Sequence, residues 1–513
     1  MTTTTRNFCF LLTTIIFYCL IALPPVAAQD DSDSSDEDKS IAKLVKELGE
    51  LSKPSSIRSD ANADGLINRQ RRRVKLANLI LDHEDASEID FNFATTIRLQ
   101  SLGIQFAISF RKKEPDEKLN QEYTEAIEEA LSSDQRNIVF EATTASAGFR
   151  SGLYSMEQTE ENAELAATAI ARLNDTAPKD PLVQTTRRVM LEQVRNGEKP
   201  RLLFEQMKQY DEKIANIVLD NLDGKTDKKE AEFLWAKHFA KFGDFIAQRR
   251  LAAMYETGTG TRVNYSQASR WYKKLASLND IFAIIKIGDF YMEGKGYFKN
   301  PETAVKNYLR AANASSRIAQ FKLGECYRSG TGVKQDDGNW KKWIKAAAYN
   351  ASGGEVQQVY STIDFEDAPD SYRVFYETLI EDNPDDIYFK NNLAYSLLIS
   401  SDKDAERALE LVNEAIEDAK DDENFGGLNS FLDTKGTALK QLGKWKAAAK
   451  VFETILPEVD DKKPVLESLV ECFKELDDDD KAKKFQKQLD ELNAESESET
   501  ETDPESSDQD DDQ

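Results

Sequence analysis

The chain has 513 residues, 31% of them charged, and its 67 Lys and Arg against 93 Asp and Glu leave a formal charge of −26. A field of that sign repels nucleic acid and anionic lipid headgroups, which argues against a DNA or RNA partner. Four cysteines are too few for a disulfide framework, so a chain of this length must rest on ordinary apolar cores.

At the amino end Arg6 precedes an uncharged run from Phe8 to Leu23, followed by Pro24, Pro25, Val26, Ala27 and Ala28. That order reads as a secretory signal peptide, residues 1–28, cut before Gln29. The apolar run of 16 residues is shorter than the roughly 20 that a helix needs to span a bilayer. The expected product is exported, periplasmic or extracellular, with no membrane insertion after cleavage. Cleavage removes Cys9 and Cys19; Cys326 and Cys472 lie in apolar helical contexts and are read as buried free thiols rather than a bridge.

An acidic linker follows at 29–39, with DDSDSSDED starting at Asp30, and the far end of the chain, 491–513, is acidic again. Segments of that composition bury too little apolar surface to offset their ordering entropy, so both are expected to be disordered. Between them Ala, Leu, Glu, Lys and Gln dominate without sustained period-2 runs, which makes the chain all-α.

Residues 40–246 read as degenerate helical hairpins. RRRVKLANLILDHED pairs with FNFATTIRLQSLGIQFAISF, and ENAELAATAIARLND with VQTTRRVMLEQVRNG. Near the start of this block Asp60, Asn62, Asp64 and Gly65 match the early positions of a calcium loop. Arg71, however, stands where the bidentate glutamate is needed, so an acidic turn capping the next helix is the favoured reading.

From residue 247 to 354 one pattern recurs at a spacing of 36: Ala247, Ala283, Ala319; Leu251, Ile287, Leu323; Tyr255, Tyr291, Tyr327; and the pairs Gly258/Gly260, Gly294/Gly296, Gly330/Gly332. Ala, Leu and Tyr four apart make one apolar helical stripe, and a glycine past the last turn ends the helix in the left-handed conformation. Second helices supply Ala268 with Trp271 and Tyr272, Ala304 with Tyr308, and Trp343 with Ala346 and Ala347. The segment resembles three Sel-one-like repeats, relatives of the tetratricopeptide repeat. Trp340 stands where the other copies have alanine, which predicts a looser helix crossing in the third. A phosphate-binding reading of the glycines fails because the loop repeats, follows a helix, and lacks a lysine and hydroxyl pair.

Residues 370–490 resemble tetratricopeptide repeats. Gly436, Leu439, Gly443, Trp445, Ala448 and Phe452 fill one set of columns, Ala394, Leu397, Ala408, Val412 and Ala415 another, and Val470, Phe473 and Ala482 a third.

The two histidines, His83 and His238, have no ligand or catalytic partner at motif spacing; His83 reads as a turn residue and His238 as a helix-surface or partly buried one. N-x-[ST] sites stand at Asn174, Asn264, Asn313 and Asn350. No cofactor and no metal are expected.

The resemblance implies a right-handed superhelical solenoid of helix-turn-helix repeats, with disordered acidic tails, whose inner surface receives a protein or peptide. Carried over by position, that surface holds Tyr388, Asn391, Tyr395, Asp433, Thr437 and Lys440. The basic residue and asparagine pairing that clamps a ligand's C-terminal carboxylate in chaperone-binding members is not matched at these positions. The expected function is therefore a non-enzymatic scaffold or adaptor. The alternative implied by resemblance is a secreted hydrolase or penicillin-interacting enzyme, but those members carry a cysteine pair in each repeat, and across the three copies at 247–354 only Cys326 is present.

Overall fold

The computed structural model describes residues 40–52, 63–112, 116–419 and 427–500; the signal segment, the acidic linker, Asp60 and Asn62 lie outside them. Among the described residues there are 24 helices and no strand, an all-α helical-repeat solenoid fold. The chain divides into two compact units, meeting in sequence at Leu275 and Ala276.

The first unit holds α1 (Ile41–Ser52), α2 (Ala63–Leu81), α3 (Glu88–Lys112), α4 (Glu117–Leu131), α5 (Arg136–Met156), α6 (Glu160–Thr176), α7 (Pro181–Arg195), α8 (Pro200–Met207), α9 (Glu212–Leu222), α10 (Lys228–Lys241), α11 (Phe245–Thr257) and α12 (Tyr265–Ser277). Both expected helix pairs are present, as α2 with α3 and α6 with α7. Asp64 and Gly65 belong to the backbone of α2, while Asp60 and Asn62 lie outside the described residues.

The core of this unit is apolar around Phe204, Trp235 and Phe239, yet it also buries a polar seam. Arg188 Nε donates to Asp244 Oδ2 at 2.9 Å and Arg188 Nη1 to Glu192 Oε2 at 2.7 Å. Arg187 pairs with Asp211, and His238 Nε2 lies 3.5 Å from the same carboxylate. His238 is buried on α10, deeper than its sequence context suggests, because Phe239 and Phe242 pack against its ring.

Burial, with Arg187, Lys213 and Lys241 nearby, outweighs Asp211 and lowers the His238 pKa to about 4. A folded-state value below the unfolded one means that the unfolded chain binds the proton first. Stability is therefore full above about 6.5 and is lost as pH falls from there toward 4. Glu141 works in the opposite sense, since burial raises it to about 7 and acidification through 7 favours the folded state. The difference between the wild type and His238→Phe cancels the glutamate. That variant is expected to recover up to about 3 kcal/mol relative to wild type between pH 7 and 4 in urea titrations. Parallel pH profiles for the two proteins would contradict this.

The second unit holds α13 (Ile281–Glu293), α14 (Pro301–Asn313), α15 (Arg317–Ser329), α16 (Asp337–Ala348), α17 (Gly353–Tyr360), α18 (Pro369–Asp382), α19 (Ile387–Ile399), α20 (Ala405–Ala419), α21 (Leu428–Gln441), α22 (Trp445–Ile455), α23 (Lys463–Glu475) and α24 (Asp479–Thr500). The last helix runs into the span read as an acidic tail, because Leu489 and Leu492 continue its apolar stripe onto the core built by Phe473 and Phe485. Cys326 and Cys472 are separate buried thiols.

The 36-residue period is visible in the helix ends. Asp244, Asp280 and Ser316 cap α11, α13 and α15 by accepting the amides of Ala247, Ala283 and Ala319. This column of caps precedes the alanine column and supplies a partner for one of the orphan donors at each helix start. At the other end Gly258, Gly294 and Gly330 take positive φ, and each amide closes onto a carbonyl four residues back.

The second glycine of each pair is also left-handed, but its surroundings differ. A Cβ on Gly260 would lie 2.0 Å from the Lys229 carbonyl oxygen, and one on Gly332 would lie 2.3 Å from that of Pro301. These glycines seat the loop directly on the first turn of an upstream helix, α10 or α14. They are stacking residues as well as corner residues.

Helix crossings use a third small column. A Cβ on Gly288 would meet the Tyr308 ring at 2.5 Å, and one on Gly324 would meet Ile344 Cδ1 at 2.6 Å. The looser crossing expected from Trp340 is not found. Its backbone oxygen stays 3.4 Å from the position of that same Cβ on Gly324, while its indole turns away and donates to Ser371 Oγ at 2.6 Å.

Candidate functional site: an aromatic and acceptor-rich face

The candidate face lies in the second unit and is built from α17, the loop before α18, α19 and α21. Pro369 opens α18 and Asp386 caps α19 through the Phe389 amide, which places consecutive aromatic residues at helical spacing. Phe365 is buried, stacks on Tyr372 at 4.5 Å and lies 5.4 Å from the Tyr395 ring. Tyr376 accepts a hydrogen bond from Asn392 Nδ2 at 3.2 Å. These contacts hold a rigid aromatic floor from which Tyr360, 46% exposed, and half-buried Tyr395 reach the surface.

α19 and α21 run side by side in a register set by two contacts. The rings of Tyr388 and Phe431 meet edge-on at 6.0 Å, and Gln441 Nε2 donates to the Leu398 carbonyl at 3.0 Å. That register puts Asn391 beside Thr434, next to Asp433.

The six residues carried over by position are therefore on neighbouring helices, but in different states. Tyr388 is 56% exposed. Asn391 is only 7% exposed, and its Oδ1 has no hydrogen-bond partner. Asp433 is half buried and makes no hydrogen bond or ion pair among the described residues, and burial raises its pKa despite the influence of Lys440. Burial, then Glu366, Asp433 and Tyr360, raise the Tyr395 phenol. Thr437 is partly buried. Lys440 is occupied: its ammonium donates to Glu471 Oε2 at 2.8 Å and to Ser468 Oγ at 3.3 Å, tying α21 to α23.

Tyr360, Phe365 and Glu366 complete the face and were not among the positions expected from repeat columns. They fall between the two repeat blocks, where columns assign no residue. Their signal is local: Tyr360, Phe365, Tyr372, Phe375 and Tyr376 put five aromatic residues in a short stretch.

His83 sits in a turn and accepts the Asp85 amide through Nδ1 at 3.2 Å. Burial pushes the Cys326 thiol up to about 12 and Cys472 up to about 11, so neither presents a thiolate near neutral pH.

Residues 246–280, 281–316 and 317–350 match the model of the Sel1 repeat. A crystal structure of a Sel1 repeat protein from Oxalobacter formigenes is 31% identical to this chain, over 25% of this chain and 95% of that one, with a TM-score of 0.22. A second crystal structure, of c5321, a protective antigen present in uropathogenic Escherichia coli strains displaying an SLR fold, is 14% identical. It is matched over 93% of this chain and 100% of its own, with a TM-score of 0.40. No curated protein sequence matches the chain. With its caps, left-handed glycines and small crossing residues recurring every 36 positions where the family model matches, the chain is a Sel1-like, tetratricopeptide-type repeat protein.

Proposed function

We propose that the protein is an exported, non-catalytic scaffold or adaptor of the cell envelope or secreted space, and that it holds a partner protein on the face formed by α17, α19 and α21. Sel1 repeats are a protein-interaction fold. The observation that carries the reading is the half-exposed row of Tyr360, Tyr388 and Tyr395 above a packed aromatic floor. Tyrosines on a rigid base add contact area at low entropic cost, which is the composition of binding hot spots. The high thiol pKa values disfavour cysteine chemistry as the alternative. Export rests on the order of residues 1–28.

The test is site-specific photo-crosslinking in the cells that make the protein, with a benzophenone amino acid at Tyr388, Tyr395 or the exposed Leu165 of the first unit. One partner band at the first two positions and none at Leu165 is the expected outcome; bands no stronger than those at Leu165 would refute it. Mass spectrometry of the secreted or envelope fraction is expected to find an amino terminus at Gln29.

A further inference from the structure

We infer that the face around Asn391 and Asp433 binds a cationic segment of its partner, a lysine or arginine side chain entering between the tyrosines. This rests on the interface reading above and adds the chemistry of the ligand.

The argument is an account of donors and acceptors. Asn391 is more than nine-tenths buried, yet its Oδ1 accepts nothing from the described residues. An unsatisfied buried acceptor costs about 1–3 kcal/mol, and native structures leave few of them. Asp433, beside it in the register of α19 and α21, is a half-buried carboxylate with no hydrogen-bond or ion-pair partner among the described residues. Glu366 is exposed and close enough to act on Tyr395. The cations near these groups are engaged elsewhere: Lys440 is held by Glu471 and Ser468, and Lys390 by Asp418 at 2.8 Å and Glu414 at 3.6 Å. Among the described residues the face therefore has an unpaired acceptor and negative charge left over, while the lysines near it are already paired.

What completes it is a group that brings several N–H donors and positive charge. An ammonium or guanidinium does both, and the rings of Tyr360, Tyr388 and Tyr395 offer it π faces. An anionic ligand meets the opposite situation, because the one lysine on the face is already neutralised. The overall charge of −26 brings cationic partners toward the whole molecule, so the test must separate the face from that general field.

The experiment uses the full chain at physiological ionic strength and a fluorescein-labelled peptide of alternating lysine and alanine, read by fluorescence anisotropy. A peptide of alternating glutamate and alanine and an acetyl-lysine version of the first serve as probes of charge. The lysine peptide is expected to bind and the other two to fail. Asp433→Asn and Asn391→Ala are each expected to weaken it by about tenfold, the scale of a lost charge-assisted hydrogen bond. Glu164→Gln, which removes an exposed carboxylate in the first unit, is expected to change nothing. Circular dichroism melts show which variants are folded; if Asn391→Ala is not, Asp433→Asn alone decides. Binding unchanged in Asp433→Asn, or weakened equally in Glu164→Gln, overturns the inference. If crosslinks at Tyr395 persist while the lysine peptide neither binds nor competes with them, the ligand chemistry fails and the interface stands. If crosslinks are also absent, the interface reading fails with it.

Discussion

Gly332→Ala is expected to cost the second unit about 2–5 kcal/mol, the sum of a left-handed backbone penalty and an overpacking term. The added methyl would lie 2.3 Å from the Pro301 oxygen and 2.4 Å from its carbonyl carbon, so the loop must lift off the first turn of α14. Backbone cannot step aside as the end of a flexible side chain can. Gly224→Ala is the control, since Gly224 has φ +72 with nothing within 4 Å of its notional Cβ, and it isolates the backbone penalty at roughly 1 kcal/mol. Equal losses for the two variants in urea denaturation would remove the stacking role of the second glycine. Gly258→Val falls between them, at about 1–3 kcal/mol, because its Cβ meets only Val263 Cγ2 at 3.0 Å and nearby loop backbone at 3.3 Å.

Asp244→Ala is expected to destabilise the first unit by about 3–5 kcal/mol. Asp244 is fully buried and serves two groups at once: Oδ1 caps α11 through the Ala247 amide at 2.6 Å, and Oδ2 accepts from Arg188 Nε at 2.9 Å. Removing it leaves an orphan amide and a buried guanidinium whose remaining carboxylate partner is Glu192. Asp244→Asn keeps the cap oxygen but puts an NH2 donor where Oδ2 accepted from Arg188, so it retains the cap alone and is expected to cost less than the alanine variant, about 2 kcal/mol. Chemical denaturation followed by tryptophan fluorescence reads this directly, because Trp235 Nε1 donates to the same Glu192 at 3.2 Å. If Asp244→Asn and Asp244→Ala lose stability equally, the ion pair with Arg188 dominates and the cap contributes little.

The two predictions mark where the sequence was legible and where it was not. The caps at 244, 280 and 316 and the terminating glycines at 258, 294 and 330 interact within one helical turn of themselves, so linear spacing reports them. Period, helix count per repeat and the all-α class follow from such local terms. Gly258 and Gly260 look alike in that record, yet one closes its own helix and the other seats on Lys229, 31 residues upstream. Trp340 reads as a disruption in its column, but the helix crossing persists because Ser371, far along the chain, gives the indole another place to go.

The candidate face divides in the same way. Repeat columns select Tyr388, Asn391, Tyr395, Asp433, Thr437 and Lys440 because a solenoid presents equivalent positions on one side. They are blind to Tyr360 and Glu366, which belong to no repeat, and to the pairing of Lys440 with Glu471 on the following hairpin. Whether Asn391 and Asp433 end with or without donors depends on which side chains arrive from α20, α21 and α23. By itself the sequence determined the helices and the 36-residue period, since those depend on residues a few positions apart. The tertiary structure decided which glycines bear another backbone, where Trp340 turns, and which acceptors stay unpaired, because each of those outcomes depends on contacts between residues distant in the chain.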